Sequence, residues 1–189
     1  NGIRSDAKSS FNLDPNKKTI FLFGGSQGSA YLNNMMGKLI KEFLSIDVQI
    51  LWQTGDLQYH KYKKYNNTNI HVTPFINNMA TAYALADLVV CRSGALTLAE
   101  ITVCGKPSIL IPYPHAAGDH QTKNAQALVN AGASRILFEK YLKVNDLFDL
   151  IISLINNDNE ISKMSKASKR LGQPNATNLI VDQIFSLLS

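Results

Sequence analysis

The chain has 189 residues, of which 45% are hydrophobic and 17% are charged, and this balance predicts one globular domain with a sizeable core. Its formal net charge of +5 is compatible with an anionic ligand, a nucleic acid or a membrane surface. The composition excludes fibrous and disordered classes, and no apolar run approaches the roughly 20 residues of a membrane span.

The chain begins with a polar lead-in over residues 1–18, which precedes an alternation of apolar runs and helix-like segments. Because its first residue is Asn rather than Met, we expect a fragment that lacks a natural N-terminal half. The lead-in is then a linker, and residues 19–189 are predicted to form one domain.

Short apolar runs predict six strands and apolar spacings of three and four predict the helices. The strands are Thr19–Phe23, Val48–Trp52, Asn69–Phe75, Asp87–Cys91, Ser108–Ile111 and Ser134–Phe138. The helices are Ala30–Phe43, Tyr59–Tyr65, Met79–Leu85, a segment ending at Val103, Thr122–Asn130, Val144–Ile155, Glu160–Leu171 and Ala176–Leu188.

Strands that alternate with helices indicate an α/β fold with a parallel sheet covered on both faces. We predict a Rossmann-like, doubly wound sheet of six strands in the order 3-2-1-4-5-6, followed by C-terminal helices. In that order strands 1 and 4 are neighbours at the switch point, where ligands bind outside the carboxyl ends. These two strands end in "GGSQGS" and "CRSG".

The first of these turns places Gly24, Gly25 and Gly28 between a strand and a helix. Glycines let a ligand approach the backbone, the helix N-terminus favours an anion, and Ser26 adds a hydroxyl donor. The turn matches neither GxGxxG nor a P-loop, which disfavours NAD and ATP chemistry by those motifs. A purely structural turn remains an alternative.

The second turn, "RSGALTLAE", adds a second helix N-terminus beside the first, and two such ends suit a diphosphate. Glu100 has the chemistry to accept from both hydroxyls of a ribose. Alternatively, Thr97 and Glu100 have the spacing of a capping box, although Ser93 and Gly94 are better N-cap candidates. The two interpretations of Glu100 stay open at this point.

The loop after strand 5, "HAAGDHQTKN", offers hydrogen-bonding groups for a polyol such as a sugar ring. They are Asp119, His120, Gln121 and Asn124, and Asp119 is also a candidate helix N-cap. Phe75 and Ile76 end strand 3 with an apolar slot and backbone groups that suit a base ring, but core packing is the favoured interpretation of Phe75.

No His or Cys cluster has the spacing of metal ligands, so we expect no metal. Cys91 and Cys104 lie in apolar segments and are predicted to be buried, reduced thiols. Four basic residues recur at helical spacing near the C-terminus and favour a solvated helix face over a phospholipid-binding patch. They are Lys163, Lys166, Lys169 and Arg170.

Three segments, in this order and spacing, resemble the MurG family of bacterial glycosyltransferases. They are "GGSQGS", "PFINNMATAYALADLVVCRSGALTLAE" and "DHQTKNA". The resemblance covers the chain and is specific in its middle. It implies the GT-B architecture of two Rossmann-like domains, of which this chain is similar to the C-terminal one that binds UDP-N-acetylglucosamine.

The resemblance also implies roles for individual residues. Ser26 would bind the diphosphate, and Arg4 would also contact the donor. Ile76 would give backbone contacts to uracil, and Glu100 would bind the ribose hydroxyls. Gln121, with His120, would hold the sugar ring. The whole implied donor site comprises Arg4, Gly25, Ser26, Gln27, Gly28, Ile76, Arg92, Ser93, Gly94, Ala95, Leu96, Thr97, Glu100, His120, Gln121 and Asn124.

In this family the reaction is inverting, uses no metal or other cofactor, and converts lipid I to lipid II in peptidoglycan synthesis. The resemblance therefore implies UDP-N-acetylglucosamine and lipid I as partners, no nucleic acid, and peripheral association with the cytoplasmic face of the bacterial plasma membrane. The general base and the acceptor site would lie in the absent N-terminal domain, so we expect no catalytic residue here and no turnover by this chain alone.

Two other hypotheses remain. One is another sugar-nucleotide enzyme of the same architecture, such as a UDP-N-acetylglucosamine epimerase or the donor subunit of a split dolichol-pathway transferase. The other is a non-catalytic nucleotide-binding module, since the chain offers no complete acid–base pair.

Overall fold

The computed structural model describes Arg4 and residues 10–188, in which six parallel strands form one sheet. The strands are β1 (Thr19–Phe23), β2 (Gln49–Gln53), β3 (Ile70–Thr73), β4 (Leu88–Cys91), β5 (Ser108–Leu110) and β6 (Ser134–Ile136). Their order is β3-β2-β1-β4-β5-β6, and every neighbouring pair is parallel. The predicted Rossmann-like order is confirmed, so β1 and β4 are neighbours at the switch point.

Nine α-helices occur in the described residues, with 3-10 turns at Lys63–Tyr65 and Ala117–Asp119. The helices are α1 (Ala30–Lys38), α2 (Ile40–Leu44), α3 (Asp56–Tyr62), α4 (Met79–Leu85), α5 (Ala95–Val103), α6 (His120–Asn130), α7 (Val144–Ile155), α8 (Asp158–Leu171) and α9 (Ala176–Leu188). The predicted helix Ala30–Phe43 is interrupted, because the Leu39 N–H bonds three residues back to the Met36 carbonyl. The resulting turn separates α1 from α2.

The sheet has a hydrophobic core on each face, which explains why all of β1 is buried. Ile20 and Leu22 point to the face covered by α1, α2 and α7, whereas Phe21 and Phe23 point to the face covered by α4, α5 and α6. With both faces covered, ligands can reach the strands only at the ends of the sheet.

The C-terminal helices extend this layered arrangement. In α8, the Ser165 hydroxyl donates to the Gly105 carbonyl at 2.7 Å and the Ser168 hydroxyl to the Ile101 carbonyl at 3.3 Å, which fixes α8 on α5. The four basic residues near the C-terminus are exposed, as a solvated face requires. Along α9 apolar side chains are exposed, among them Ile180, Phe185 and Leu187. None of the helices described here is long and apolar enough to cross a membrane.

The two cysteines differ in their environments. Cys91 is buried at the end of β4, as predicted, and burial raises the pKa of its thiol well above the usual range. Cys104 is exposed, so its predicted burial is wrong. The reason is its position at the C-terminal cap of α5, where the helix leaves the sheet.

Candidate functional site

Two adjoining clefts open at the carboxyl ends of β1 and β4. The larger cleft, of about 490 Å³, is lined by Gly24, Gly25, Gly28, Ser29, Ala30, Tyr31, Arg92, Gly94, Thr97, Tyr113, Gln121 and Glu139. The smaller cleft, of about 310 Å³, is lined by Phe23, Gly25, Ser26, Gln53, Phe75, Ile76, Met79, Leu96, Thr97 and Glu100. Gly25 and Thr97 line both clefts, so one extended ligand can occupy them together.

The glycine-rich turn after β1 is pressed against the end of β2. Gly28 has a φ of +75°, and a Cβ placed on it would lie 2.0 Å from the Thr54 carbonyl oxygen. The Asn33 amide holds the same oxygen at 2.8 Å, and the Trp52 indole N–H donates to Asn33 at 2.8 Å. The turn therefore has a fixed position at the mouth of both clefts.

Helix α1 begins directly behind this turn and is capped by Ser29, whose hydroxyl oxygen accepts from the Leu32 N–H at 3.3 Å. Arg92 donates to the same hydroxyl at 3.0 Å. The first turn of α1 contains no acidic side chain. Its unsatisfied N–H groups and positive dipole end face the larger cleft, which suits an anion.

Arg92 is a buried link between four loops at this edge of the sheet. Its guanidinium donates to the Ile111 and Pro112 carbonyls at 3.0 Å each and forms an ion pair with Glu139. It also lies 5.9 Å from the ring centre of Tyr31 and 5.5 Å from that of Tyr113. Since Glu139 balances its charge, Arg92 organises the floor of the larger cleft.

Helix α5 presents the second N-terminus. Gly94 is its N-cap, and none of the described side chains makes a capping bond there. Thr97 is the third residue of the helix, so the capping-box interpretation of Thr97 and Glu100 is wrong. The N–H groups of Ala95 and Leu96 in the first turn are left for an outside partner.

Glu100 lies one turn further along α5 and lines the smaller cleft. Its carboxylate accepts a hydrogen bond from the Tyr83 hydroxyl at 2.9 Å. With no capping role, Glu100 is an exposed acceptor at this cleft, and its carboxylate is hydrogen-bonded to a buried phenol.

The apolar walls of the smaller cleft come from Phe75 and Leu96, which are 46% and 83% exposed. The interpretation of Phe75 as a core residue is therefore wrong, because its side chain lies outside the sheet beyond the end of β3. Between these walls the Gln53 side chain accepts from the Ile76 N–H at 2.8 Å and donates to the Gly25 carbonyl at 3.1 Å. Gln53 thus connects the β3–α4 loop with the glycine-rich turn.

The loop after β5 closes the far end of the larger cleft through Gln121, whose side-chain oxygen accepts from the Tyr113 N–H at 3.0 Å. Ser93 is buried and donates to the Gln121 carbonyl at 2.7 Å, and Asn124 donates to the Ser93 carbonyl at 3.2 Å. Asp119 occupies the N-cap position of α6 but makes no side-chain capping bond, and it has a left-handed φ of 54°.

Most of the predicted site residues come together here. Ten of them line the two clefts: Gly25, Ser26, Gly28, Ile76, Arg92, Gly94, Leu96, Thr97, Glu100 and Gln121. Five others lie beside the clefts without lining either: Gln27, Ser93, Ala95, His120 and Asn124. Ser93 and Asn124 use their side chains to join the loops, and the His120 ring is within 2.7 Å of the Ala117 carbonyl.

Arg4 is the exception, because the structure places it at the opposite edge of the sheet. Its guanidinium forms an ion pair with Asp87 at 2.9 Å, immediately before β4, and donates to the Pro15 carbonyl at 2.8 Å. The same carboxylate accepts from the Thr19 N–H at the start of β1. These bonds hold Arg4 at the amino ends of the strands, so the structure does not bring Arg4 together with the other predicted site residues at the two clefts.

Sequence reasoning missed several lining residues, among them Tyr31, Tyr113, Glu139 and Gln53. Tyr113 lies in the loop that begins at the carboxyl end of strand 5, and this position was the available signal. Glu139 gave no signal, since its pairing with Arg92 depends on how two distant loops meet. In the part of the chain that the structure describes, no three His, Cys, Asp or Glu side chains are grouped as metal ligands.

The fold and the paired helix N-termini define a Rossmann-like domain with two adjoining clefts at the switch point, where ligands of such folds bind. The family model for the glycosyltransferase family 28 C-terminal domain matches residues 19–180. The chain therefore belongs to this family, and the resemblance noted in the sequence is confirmed.

Two curated relatives illustrate the match. A Flavobacterium psychrophilum protein is 44% identical over 188 residues, covering 99% of this chain and 51% of the relative. A Bacillus cytotoxicus protein is 38% identical over 193 residues, covering 100% of this chain and 52% of the relative. Both are named UDP-N-acetylglucosamine–N-acetylmuramyl-(pentapeptide) pyrophosphoryl-undecaprenol N-acetylglucosamine transferase. The chain thus spans about half the length of these relatives.

Solved structures agree. MurG of Acinetobacter baumannii superposes with a TM-score of 0.80 at 33% identity, covering 97% of this chain and 53% of that one. A glycosyltransferase of kitacinnamycin, at 20% identity and a TM-score of 0.69 over 88% of this chain and 43% of that one, shares the fold.

Proposed function

We propose that this chain is the donor-binding half of an inverting glycosyltransferase that transfers N-acetylglucosamine from UDP-N-acetylglucosamine to lipid I. The observation that carries the proposal is the pair of helix N-termini, of α1 and α5, beside two joined clefts at the β1/β4 switch point. Relatives that align over nearly the whole chain carry the name of this activity.

The donor fits the two clefts in one direction. The diphosphate lies between the N-termini of α1 and α5, with Ser26 beside it. The uridine enters the smaller cleft, where Phe75 and Leu96 flank the base and Glu100 accepts from the ribose. The sugar ring extends into the larger cleft towards Gln121.

Recognition of the base has a specific consequence at Ile76. Its N–H already donates to Gln53, which leaves the Ile76 carbonyl as the acceptor for a ligand. Uracil carries an N–H donor on its ring edge, so we expect this carbonyl to accept from it.

The same geometry suits the departure of UDP as the leaving group. As the glycosidic bond breaks, negative charge develops on the UDP diphosphate. The N–H groups and dipoles of two helix N-termini, fixed in advance, stabilise that charge most where it grows. We therefore propose that the reaction needs no metal and no other cofactor.

The curated relatives have a second half, which this chain does not span. We propose that this half supplies the general base and the lipid I site, so that the chain alone binds donor without turnover. Because the acceptor is lipid-linked, we propose that the complete enzyme is a peripheral membrane protein, at the cytoplasmic face of the bacterial plasma membrane.

A thermal-unfolding panel tests the proposal. At concentrations about 100-fold above Kd, UDP and UDP-N-acetylglucosamine should raise Tm by roughly 5–10 °C, because they bind only the folded chain. NAD and GDP serve as controls and should leave Tm unchanged, and EDTA should not reduce the UDP effect. A folded chain whose Tm does not change with UDP, or rises equally with NAD, would contradict the proposal.

A further inference from the structure

Tyr83 stands out as a buried side chain whose hydroxyl contacts Glu100, a residue that lines the smaller cleft. It is 2% exposed on α4, and its hydroxyl donates to Glu100 Oε2 at 2.9 Å. We propose that Tyr83 is a positioning residue that fixes the Glu100 carboxylate for the ribose hydroxyls of a nucleoside diphosphate. This inference rests on the proposed function.

The Tyr83 ring is anchored to the sheet itself. It packs edge-on against Phe21 at 5.7 Å and Phe23 at 6.2 Å between ring centres, and both phenylalanines belong to β1. The hydroxyl therefore has a fixed place relative to the glycine-rich turn, which follows the same strand. Its hydrogen bond therefore holds the carboxylate of Glu100, on a different helix, in a fixed place.

Glu100 needs such a partner because its side chain is exposed on α5 and would otherwise sample several rotamers. An acceptor held in one orientation binds a ligand without first losing that freedom. Tyr83 engages Oε2, so Oε1 remains available to a ribose hydroxyl.

The surroundings of Tyr83 keep its hydroxyl protonated, so that it remains a hydrogen-bond donor. Burial, and next the nearby Cys91 and Glu100, raise the pKa of the Tyr83 phenol far above its usual range. The hydroxyl thus stays protonated through neutral and alkaline pH. Glu100 also lines a further, mostly apolar pocket of about 360 Å³, together with Met79, Ala80, Tyr83, Ala99, Val103 and Cys104.

The test compares UDP with 2′,3′-dideoxy-UDP, which lacks both ribose hydroxyls, by calorimetry on the full chain. The wild type should bind UDP more tightly than the dideoxy compound. Tyr83→Phe keeps the ring and removes the hydroxyl, so its Kd for UDP should rise about threefold to tenfold. Its Kd for the dideoxy compound should not change, because that ligand makes no use of Glu100.

The Glu100→Gln variant provides the second arm. It should lose most of the discrimination between the two ligands, and adding Tyr83→Phe to it should cause little further loss, because the two residues act as one unit. Glu42→Gln, at an exposed position on α2, is the matched control and should behave as the wild type.

The outcomes separate the two claims. A wild type that does not bind UDP overturns the proposed function, and one that binds both ligands equally overturns the ribose role of Glu100. If the wild type discriminates and Tyr83→Phe discriminates equally well, or weakens both ligands alike, the positioning role is overturned. Should Tyr83→Phe not fold, ¹³C labelling of tyrosine in the wild type decides: UDP must shift the Tyr83 ζ-carbon resonance more than the dideoxy compound does.

Discussion

Glu100 shows what a single residue's sequence context can and cannot establish. The spacing to Thr97 left capping and ligand binding equally open, because both roles favour a carboxylate near a helix N-terminus. The structure excludes the capping role, since Gly94 is the N-cap and Thr97 lies inside α5. The bond to Tyr83 was invisible in the sequence, because it depends on how α4 and α5 lie on the sheet.

Arg92 carries a prediction at the same scale. Replacing it by Ala should lower the free energy of unfolding by about 3 kcal/mol, because Glu139 would keep a mostly buried charge without its partner. Ser29 and two carbonyls would lose a donor as well. Urea denaturation of Arg92→Ala measures the loss.

The control for this prediction is the double variant Arg92→Ala with Glu139→Gln. Removing the second charge should recover part of the lost stability, since the unpaired carboxylate is then gone. Equal stability of the wild type and the single variant would show that Arg92 does not organise the larger cleft.

At the scale of elements, the apolar pattern predicted the six strands, because buried parallel strands are short apolar runs between helices. Their order followed from the crossover rule and the common topology of doubly wound sheets. The apolar pattern predicted boundaries less well. The helix break at Leu39 follows a local hydrogen-bond change, and α6 begins at His120, earlier than predicted, after left-handed turns at Gly118 and Asp119. Neither feature has an apolar pattern to reveal it.

The glycine-rich turn provides the prediction at this scale. Gly28→Ala should destabilise the chain and weaken UDP binding, because a Cβ there would meet the Thr54 carbonyl and push the turn away from β2. We expect a loss of about 2–3 kcal/mol, of which backbone strain accounts for about 1 kcal/mol. Thermal unfolding and UDP titration measure both effects.

Gly132 offers a matched control, since its φ of +76° is nearly that of Gly28 and nothing lies within 4 Å of the added Cβ. Gly132→Ala should therefore suffer the strain alone and bind UDP normally. If the two variants lose the same stability and both bind UDP, the close approach of the turn to β2 has no functional importance.

At the scale of the whole molecule, the switch-point rule placed most of the site from sequence alone, because it joins fold topology to two turns far apart in the chain. It gave no information about Arg4, which lies before the first strand and pairs with Asp87 at the amino edge. A segment outside the repeating pattern of strands and helices is not assigned to either edge by that pattern.

The N-termini of α1 and α5 are proposed to hold the diphosphate of a uridine nucleotide together. A titration with UDP-N-acetylglucosamine, followed by amide chemical shifts, measures this at each residue. We expect the largest shifts at Ala30 and Tyr31 in α1 and at Ala95 and Leu96 in α5, with Asp87 at the amino ends of the strands unaffected. Shifts confined to the amino edge of the sheet, or to only one of the two helices, would contradict it.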